Sequence, residues 1–457
     1  MSLDNVRTGA EFDLISLYQD NDEHDSPFQY NNNPCNYYEP YEFRRMIDLN
    51  ISDSISYFHL NCRGLSSNWD SFHDLLCTLN SDKFSFDFIG ISEVFKTDGD
   101  SRIRLPGYHP LVSCCREDGP RGGVGLFIKE NINFHIRNDI NVFLPHIFES
   151  IFLEVRNGTG KNTVIGVIYR PNTEPYADMD IFENTLCEIM NIIQKEHKHC
   201  IVMGDMNIDL LKFETYKKTD NYLDNIFSNG FLPVIVKPTR ITPSSATLID
   251  HIYTNTITDT GQSGIIITDV ADHFGIYHII KNKITCTIRQ NNKTQQIRYF
   301  SDRNVDKFKI SLQQIDFTCI LEIVCPEEAY NKFMEKYMAA FKTNFPLREH
   351  NPKSKYIKRE PWYTTGLLTS SKQKSKLLTK KLCKPTEANV KEFKEYNNMY
   401  NKLKRKMKAT YYKIKLDENR QNIKKTWSIL KQALGKCNDK SNYPNILKIN
   451  NDTVTDI

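Results

Sequence analysis

Carboxylates, amides and one histidine follow apolar runs at several separate places in this sequence. Asp205 and Asn207 come directly after one such run, and Glu93 ends another. Asp250 and His273 occupy two later segments of the same form. Carboxylate oxygens suit a hard divalent cation such as Mg²⁺, and a carboxylate or a histidine can move the protons that hydrolysis requires. These residue types therefore predict metal-assisted chemistry on a phosphate ester.

The segment Gly-Asp-Met-Asn at 204–207 places a carboxylate and an amide two positions apart. In an extended chain, side chains at i and i+2 point to the same side, so Asp205 and Asn207 can face one cavity. We expect Asp205 to orient and deprotonate a water, and Asn207 to hold that water or a phosphate oxygen. Taken alone, the segment is more typical of a turn that closes a strand, because Asp and Asn readily bond their own backbone.

Glu93 and the pair Asp272-His273 are the next candidates. A charged side chain that ends an apolar strand is costly unless it reaches solvent or a cation, so Glu93 is either a metal ligand or a solvated strand end. His273 could carry a proton or bind a phosphate, with Asp250 fixing its tautomer and Asp272 left for the metal. A histidine after a strand is more often structural, so the pair is informative only together with the other segments.

Three further residues complete the predicted set. Asn61 follows an apolar run and can bond a phosphate oxygen, and the Tyr169 hydroxyl can donate to the same group or stabilise developing charge. Arg170 supplies a neighbouring cation that could equally be structural.

The elements that must position these residues are short strands alternating with helices between residues 55 and 280. Period-two and continuous apolar runs predict strands at 55–60, 86–92, 122–129, 147–155, 164–169, 200–204 and 249–253. Helical spacing predicts helices at 69–79, 180–196 and 219–229. This mixture indicates an α/β domain with a two-layered β core.

Length and composition suggest several segments. The 457 residues suit two or three domains. Their boundaries are predicted as a mostly disordered acidic segment at 1–50, the α/β domain at 51–282, a linker with a helix at 283–350, a basic helical segment at 351–440 and a truncated tail at 441–457.

The net charge of +4 hides an uneven distribution. Residues 353–436 contain 24 Lys and Arg against 6 Asp and Glu, an excess of +18, so the rest of the chain carries −14. Apolar residues at helical spacing within this stretch predict a long amphipathic helix with a basic outer face. Such asymmetry favours DNA or RNA as the partner of the basic segment, and a solvated helical linker is the alternative.

The sequence also excludes several classes of protein. It has no apolar segment long enough to span a bilayer and no secretion signal, so we expect no membrane partner. The 12 cysteines form no C-x-x-C pair, which argues against a zinc site. The simplest interpretation is a reduced, intracellular protein.

Eight short segments, in order, resemble the endonuclease/exonuclease/phosphatase superfamily. The resemblance is strongest to the apurinic-type endonuclease domain of non-LTR (LINE-type) retrotransposon polyproteins. The segments are residues 58–65, 91–93, 121–124, 169–171, 204–207, 237–240, 248–251 and 272–273. The residues after this domain resemble the stretch that joins nuclease to reverse transcriptase in such polyproteins, and the motifs of the polymerase are absent.

The resemblance implies a four-layered α/β sandwich, two β-sheets packed face to face with helices outside, followed by a basic helical tail. It implies Mg²⁺-dependent, or Mn²⁺-supported, nicking of DNA that exposes a 3′-hydroxyl, and a nuclear location when the chain acts on chromosomal DNA. In that scheme Glu93 and Asp272 hold the metal, while Thr239 and Thr247 touch the DNA backbone. The implied catalytic residues are Asp205, Asn207, His273 paired with Asp250, Asn61 and Tyr169.

One departure from the family pattern concerns the metal. Many nuclease relatives carry a carboxylate two residues after the first Asn, where this chain has Arg63. We expect activity to survive with Glu93 as the chief ligand. Two alternatives stay open: a catalytically silent remnant that only binds nucleic acid, and a superfamily phosphodiesterase with another substrate.

Overall fold

A computed structural model gives the fold of the chain, which divides into two compact units, residues 1–287 with 356–457 and residues 288–355. The structure describes residues 35–46, 54–80, 84–95, 103–117, 119, 121–156, 161–172, 177–242, 245–256, 261–281, 295–350, 357, 359–434, 447–449 and 452–454. The first unit contains the two large sheets.

The first sheet has seven strands in the order β1-β15-β16-β2-β3-β5-β4. Its strands are β1 (Asn36–Tyr38), β2 (Ser54–Asn61), β3 (Phe88–Ser92), β4 (Val112–Cys114), β5 (Val124–Ile128), β15 (Gly261–Ile266) and β16 (Gly275–Lys281). The central strands β2 and β3 are parallel, and both are almost entirely buried. Strands that are covered on both faces have nearly continuous apolar sequences, and this pattern allowed β2 and β3 to be predicted.

The second sheet also has seven strands, in the order β11-β14-β10-β9-β8-β6, with β7 paired to β8. Its strands are β6 (Phe134–Ile136), β7 (Phe143–Leu144), β8 (Phe148–Val155), β9 (Thr163–Tyr169), β10 (His199–Asp205), β11 (Leu232–Pro233) and β14 (Asp250–Thr254). A small hairpin of β12 (Arg240–Ile241) and β13 (Ala246–Thr247) lies outside both sheets. The sheets pack face to face: a Cβ at Gly90 would contact Val167 and Met203 at 3.0 and 3.1 Å.

Helices cover the outer faces of both sheets. They are α1 (Pro40–Met46) and α2 (Leu65–Leu79) on the first sheet and α3 (Ala177–Lys195) and α4 (Lys217–Ser228) on the second. The spacing of apolar residues in α2 buries Trp69, Phe72 and Leu76 against the sheet. This α/β arrangement of two mixed sheets with outer helices agrees with the predicted fold class.

Part of the acidic N-terminal segment belongs to this domain. Residues 1–50 were predicted to be mostly disordered apart from a short helix at 41–47, which corresponds to α1, yet β1 also pairs in parallel with β15 and extends the first sheet. Phe43 on α1 is 1% exposed and stacks on Phe86. Residues 1–34, predicted to be disordered, lie outside the described residues.

The basic segment forms three helices in the same compact unit as the sheets. They are α8 (Thr365–Cys383), α9 (Glu387–Glu418) and α10 (Ile423–Ala433). Leu377, Leu378 and Leu382 of α8 are buried in the main apolar core, together with Phe393 of α9. Lys374 also pairs with Asp269 at 2.9 Å. Residues predicted as a separate basic segment therefore share the core of the α/β domain.

The second unit combines a two-stranded sheet with helices. Its elements are β17 (Gln295–Arg298), α5 (Asp302–Gln313), α6 (Thr318–Leu321), α7 (Pro326–Asn344) and β18 (Leu347–His350). Phe300, Phe308, Phe341 and Phe345 pack together in an aromatic cluster. A last pair, β19 (Leu447–Ile449) and β20 (Asp452–Val454), follows α10 in sequence. Within the described residues, no helix combines the length and apolar character needed to cross a membrane.

Candidate active site

Asp205 occupies the end of β10, between the ends of two neighbouring strands. The strand registers place Asp205 opposite Tyr169 of β9 and opposite Asp250 of β14. Gly204 precedes it, and a Cβ there would overlap the Ile168 carbonyl oxygen, so only glycine lets the strands approach this closely. Three predicted site residues therefore meet at one edge of the second sheet.

Asn61 joins the two sheets through its side-chain amide. Its Nδ2 donates to Glu93 Oε1 and to Asp205 Oδ2, each at 2.8 Å. Its Oδ1 accepts from the backbone N–H of Arg63 at 2.9 Å. Because Asn61 is completely buried, these bonds fix both carboxylates relative to each other.

His273 and Asp250 form a buried ion pair beside Asp205. His273 Nδ1 lies 2.8 Å from Asp250 Oδ2, and its Nε2 lies 4.0 Å from Asp205 Oδ2. Burial alone would lower the pKa of His273, but the Asp250 and Asp205 carboxylates outweigh it and raise the pKa to about 10. The imidazole is therefore held as a cation at neutral pH.

Asp205 differs from Asp250 in its protonation. Burial, followed by repulsion from Asp250, raises the pKa of Asp205 to about 7, against the opposing influence of His273. Burial also favours the neutral form of Asp250, but its direct contact with His273 holds the pKa below the usual value. Two neighbouring carboxylates thus have separated pKa values, an arrangement typical of acid–base sites.

Asn207 and Arg170 shape the loop after β10. Asn207 has φ of 48°, its N–H donates to Asp205 Oδ1 at 3.1 Å, and its Nδ2 donates to the Arg170 carbonyl at 2.7 Å. Arg170 Nη1 donates to the carbonyls of Met206 and Asn207 at 3.3 and 3.1 Å. The guanidinium braces this loop, and the Asn207 side chain is tied to the Arg170 backbone.

Tyr169 lies beside a buried carboxylate that the sequence analysis missed. Burial, then the Glu93 and Asp205 carboxylates, raise the pKa of the Tyr169 hydroxyl, which keeps its proton. Glu149 is opposite Tyr169 on β8, is fully buried, and accepts from the Arg116 guanidinium and from the N–H of Gly123. A charged residue inside the apolar run 148–155 was the signal that could have identified it.

Asp272 is engaged by two arginines. Arg240 donates to Asp272 Oδ2 through Nε at 3.1 Å and Nη2 at 2.7 Å, and Arg63 Nη1 lies 3.4 Å from Oδ1. Burial would raise the pKa of Asp272, but His273 and Arg240 hold it below the usual value. The predicted metal ligand therefore already has two cationic partners, neither of which the sequence analysis connected to it.

The two threonines predicted to touch DNA have different surroundings in the structure. Thr239 is fully buried, and its hydroxyl donates to Asp250 Oδ2 at 2.7 Å and accepts from the N–H of Asp250 at 3.1 Å. It therefore positions Asp250 rather than facing solvent. Thr247 is half-buried in β13, where its carbonyl accepts from the Thr239 N–H at 2.9 Å and holds the hairpin closed.

Three buried side chains of the site could act as ligands of a divalent ion. Ligand atoms of Asp205, Asp250 and His273 lie within 4.8 Å of one another, so this cluster could hold a metal. A histidine must lose its proton to bind a metal, however, and His273 holds its proton strongly. Glu93 is only partly buried, and its Oε1 is bonded to Asn61. A carboxylate oxygen of this kind is the donor that hard cations prefer.

Several solved structures are similar to about half of this chain. The endonuclease domain of TRAS1, a telomere-specific non-LTR retrotransposon, is 12% identical with a TM-score of 0.37, covering 50% of this chain and 99% of its own. The catalytic domain of Xenopus laevis APE2 is 17% identical with a TM-score of 0.39, covering 49% and 91%. A humanised D. rerio TDP2 is 15% identical with a TM-score of 0.37, covering 50% and 99%.

Sequence comparison gives the family assignment. No curated protein sequence matches this chain. Residues 58–302, more than half of the 457, match the Endonuclease/Exonuclease/phosphatase family. That range contains all of the predicted site residues from Asn61 to His273. The chain belongs to the Endonuclease/Exonuclease/phosphatase family.

Proposed function

We propose that this chain is a divalent-metal-dependent DNA endonuclease that nicks one phosphodiester bond, as in target-primed retrotransposition. The observation that carries the proposal is the buried network in which Asn61 joins Glu93 to Asp205 while His273 lies between Asp205 and Asp250. It supplies a base, a fixed cation and a partly buried carboxylate at one edge, groups that can hydrolyse a phosphodiester.

Each residue has a separate role in this scheme. Asp205 takes a proton from the attacking water, and its pKa of about 7 makes it an effective base near neutral pH. Asn207 orients that water and a phosphate oxygen. His273, kept cationic by Asp250, faces the scissile phosphate, and Asn61 and Tyr169 donate toward the charge that develops there.

Glu93 would hold Mg²⁺ or Mn²⁺ in this site, with Asp272 as the second candidate. A bound divalent ion would neutralise the negative charge that develops on the leaving oxygen. Asp272 could contribute only by sharing its oxygens with Arg63 and Arg240. Glu93 is therefore the chief ligand in the proposal.

The basic helices support nucleic acid as the substrate. Lys404 Nζ donates to the Ser71 hydroxyl at 3.3 Å and Lys408 Nζ donates to Asp70 at 2.9 Å, so α9 contacts α2 through these side chains. Helix α2 begins at Leu65, shortly after Asn61 and Arg63 in the sequence. The exposed cations of α9 and α10 are Lys391, Lys394, Lys402, Arg405, Lys406, Lys413, Lys424, Lys425 and Lys431. Cations on one side of a fixed helix suit contacts with a DNA or RNA backbone.

Nicking of supercoiled plasmid tests the proposal. The wild-type chain with Mg²⁺ should convert supercoils to open circles, and EDTA, Asp205→Ala or His273→Ala should prevent it. DNA binding without nicking by any version would favour the silent remnant. Release of phosphate or headgroup from inositol phosphates or sphingomyelin, without nicking, would favour the other phosphodiesterases.

A further inference from the structure

Arg63 and Arg240 come from distant parts of the chain and meet on one carboxylate next to His273. Arg63 lies just beyond β2 and has φ of 45°, a left-handed conformation that is uncommon outside glycine. Arg240 lies in β12, which is anchored by the bond from the Phe274 N–H to the Thr239 carbonyl at 2.8 Å. Both side chains are thus held by backbone that also holds catalytic candidates.

Most hydrogen-bond donors of the two guanidiniums remain available. The side chain of Arg63 is 66% exposed and that of Arg240 is 39% exposed. Arginine has five N–H donors, of which Arg63 directs one and Arg240 two toward Asp272. Among the residues that the structure describes, neither guanidinium has a hydrogen-bond or ion-pair partner other than Asp272. An exposed ion pair contributes little to stability, so stability alone does not account for this arrangement.

The site carries several negative charges, which would repel DNA unless nearby cations offset them. Glu93, Asp205, Asp250 and Asp272 bring four carboxylates to one edge of the domain, and DNA adds further negative charge. His273 is buried against two of them. Exposed guanidiniums beside this edge would attract a phosphate, and their planar forks match its oxygens.

We propose that Arg63 and Arg240 bind a DNA backbone phosphate next to the scissile one, with Asp272 holding the two guanidiniums side by side. This inference rests on the proposed nuclease function and adds its substrate contact. It assigns Arg63 to DNA binding at a position where many nuclease relatives carry a carboxylate. The role requires no proton transfer and no bond to the reacting atoms.

The test measures binding of the full chain to a short DNA duplex in EDTA over a range of salt concentrations. Arg63→Gln and Arg240→Gln should each reduce the slope of log affinity against log salt by about 0.9, the value for one phosphate contact on duplex DNA. The lysine versions should keep the slope, because they keep the charge. Arg45→Gln, which removes the same charge from an exposed site on α1, should leave the slope unchanged.

Asp272→Asn separates DNA binding from a purely structural ion pair. It leaves both arginines in place, so the proposal requires a slope at least as steep as in the wild type. A slope reduced as in the glutamine variants, or glutamine variants with the wild-type slope, would overturn the proposal. The assay contains no metal and no cleavage, so failure of the nuclease proposal would appear separately, as a wild type that binds DNA but does not nick it.

Discussion

Asp205 and Asp250 in the candidate active site are 1% and 0% exposed, whereas Lys406 and Lys413 on α9 are open to solvent. The site charges are fixed by partners within hydrogen-bonding distance and shift each other's pKa. Lys406 and Lys413 are positioned indirectly, through the apolar residues of α8 and α9 that are buried in the core. Buried charge should therefore act through a few specific residues, and exposed charge through many weak, salt-dependent contacts.

The largest effect is expected from Asp250→Asn. Without the anionic partner, His273 loses the main influence that raises its pKa and its cation is no longer secured near neutral pH. We expect kcat for nicking to fall by about 10²–10⁴-fold, the range for a lost acid–base or charge-stabilising group. Single-turnover plasmid nicking measures this, with exposed Asp224→Asn as the matched control. A change smaller than about tenfold would remove Asp250 from the mechanism.

The next largest effect concerns the anchor of the basic helices. Leu378 is 7% exposed in the main core, so Leu378→Ala should lower the free energy of unfolding by about 2–4 kcal/mol. Leu403, on the exposed part of α9 at 37%, is the matched control. Urea titration measures both variants. Equal stabilities for the two would mean that the basic helices do not share the core of the domain.

The pH dependence of nicking tests the separated pKa values. Asp205 must be ionised to act as a base, so kcat should rise about tenfold per pH unit below its pKa of about 7. His273 must be protonated, so kcat should fall as pH passes its pKa of about 10. The contribution of the His273–Asp250 pair to the free energy of unfolding should likewise be fully present below pH 6.5 and lost as pH rises through about 10. A rate that is constant from pH 5 to 7 would exclude Asp205 as the base.

The smallest effect is expected at a single exposed lysine. Lys406→Ala should weaken DNA binding by about two- to threefold and reduce the salt slope by about 0.9. Lys380→Ala is the control, because its Nζ already donates to Glu392 at 2.8 Å. Fluorescence anisotropy at several salt concentrations measures both. If the two substitutions have the same effect, the charge of α9 acts only through the total charge of the chain.

The sequence allowed the strands and the residues at their ends to be predicted, because local patterns determine both. Continuous apolar runs identify β2, β3, β9 and β10, and the polar residues that follow them are exceptions to those runs. Asp205, Asn61 and His273 could be found in this way. The His273–Asp250 contact was also expected, and it is present in the structure.

Contacts between distant segments could not be read from local patterns. Thr239 lies eleven residues before Asp250, and nothing in its neighbours shows that its hydroxyl is buried against that carboxylate. The meeting of Arg63 and Arg240 on Asp272 depends on how two loops pack. The apolar stripe of α9 indicated a buried face, but periodicity does not say which surface covers it. Long-range packing decides these features.

The most direct test of the central claim examines the end that cleavage leaves. A labelled DNA duplex is incubated with Mg²⁺ and either the wild-type chain or Asp205→Asn, and a DNA polymerase is then added with nucleotides. Hydrolysis at the proposed site predicts a shortened strand with a 3′-hydroxyl that the polymerase extends, formed by the wild type and not by Asp205→Asn. Equal cleavage by both proteins, or none by either, would contradict the assignment of Asp205 and its network as a nuclease site.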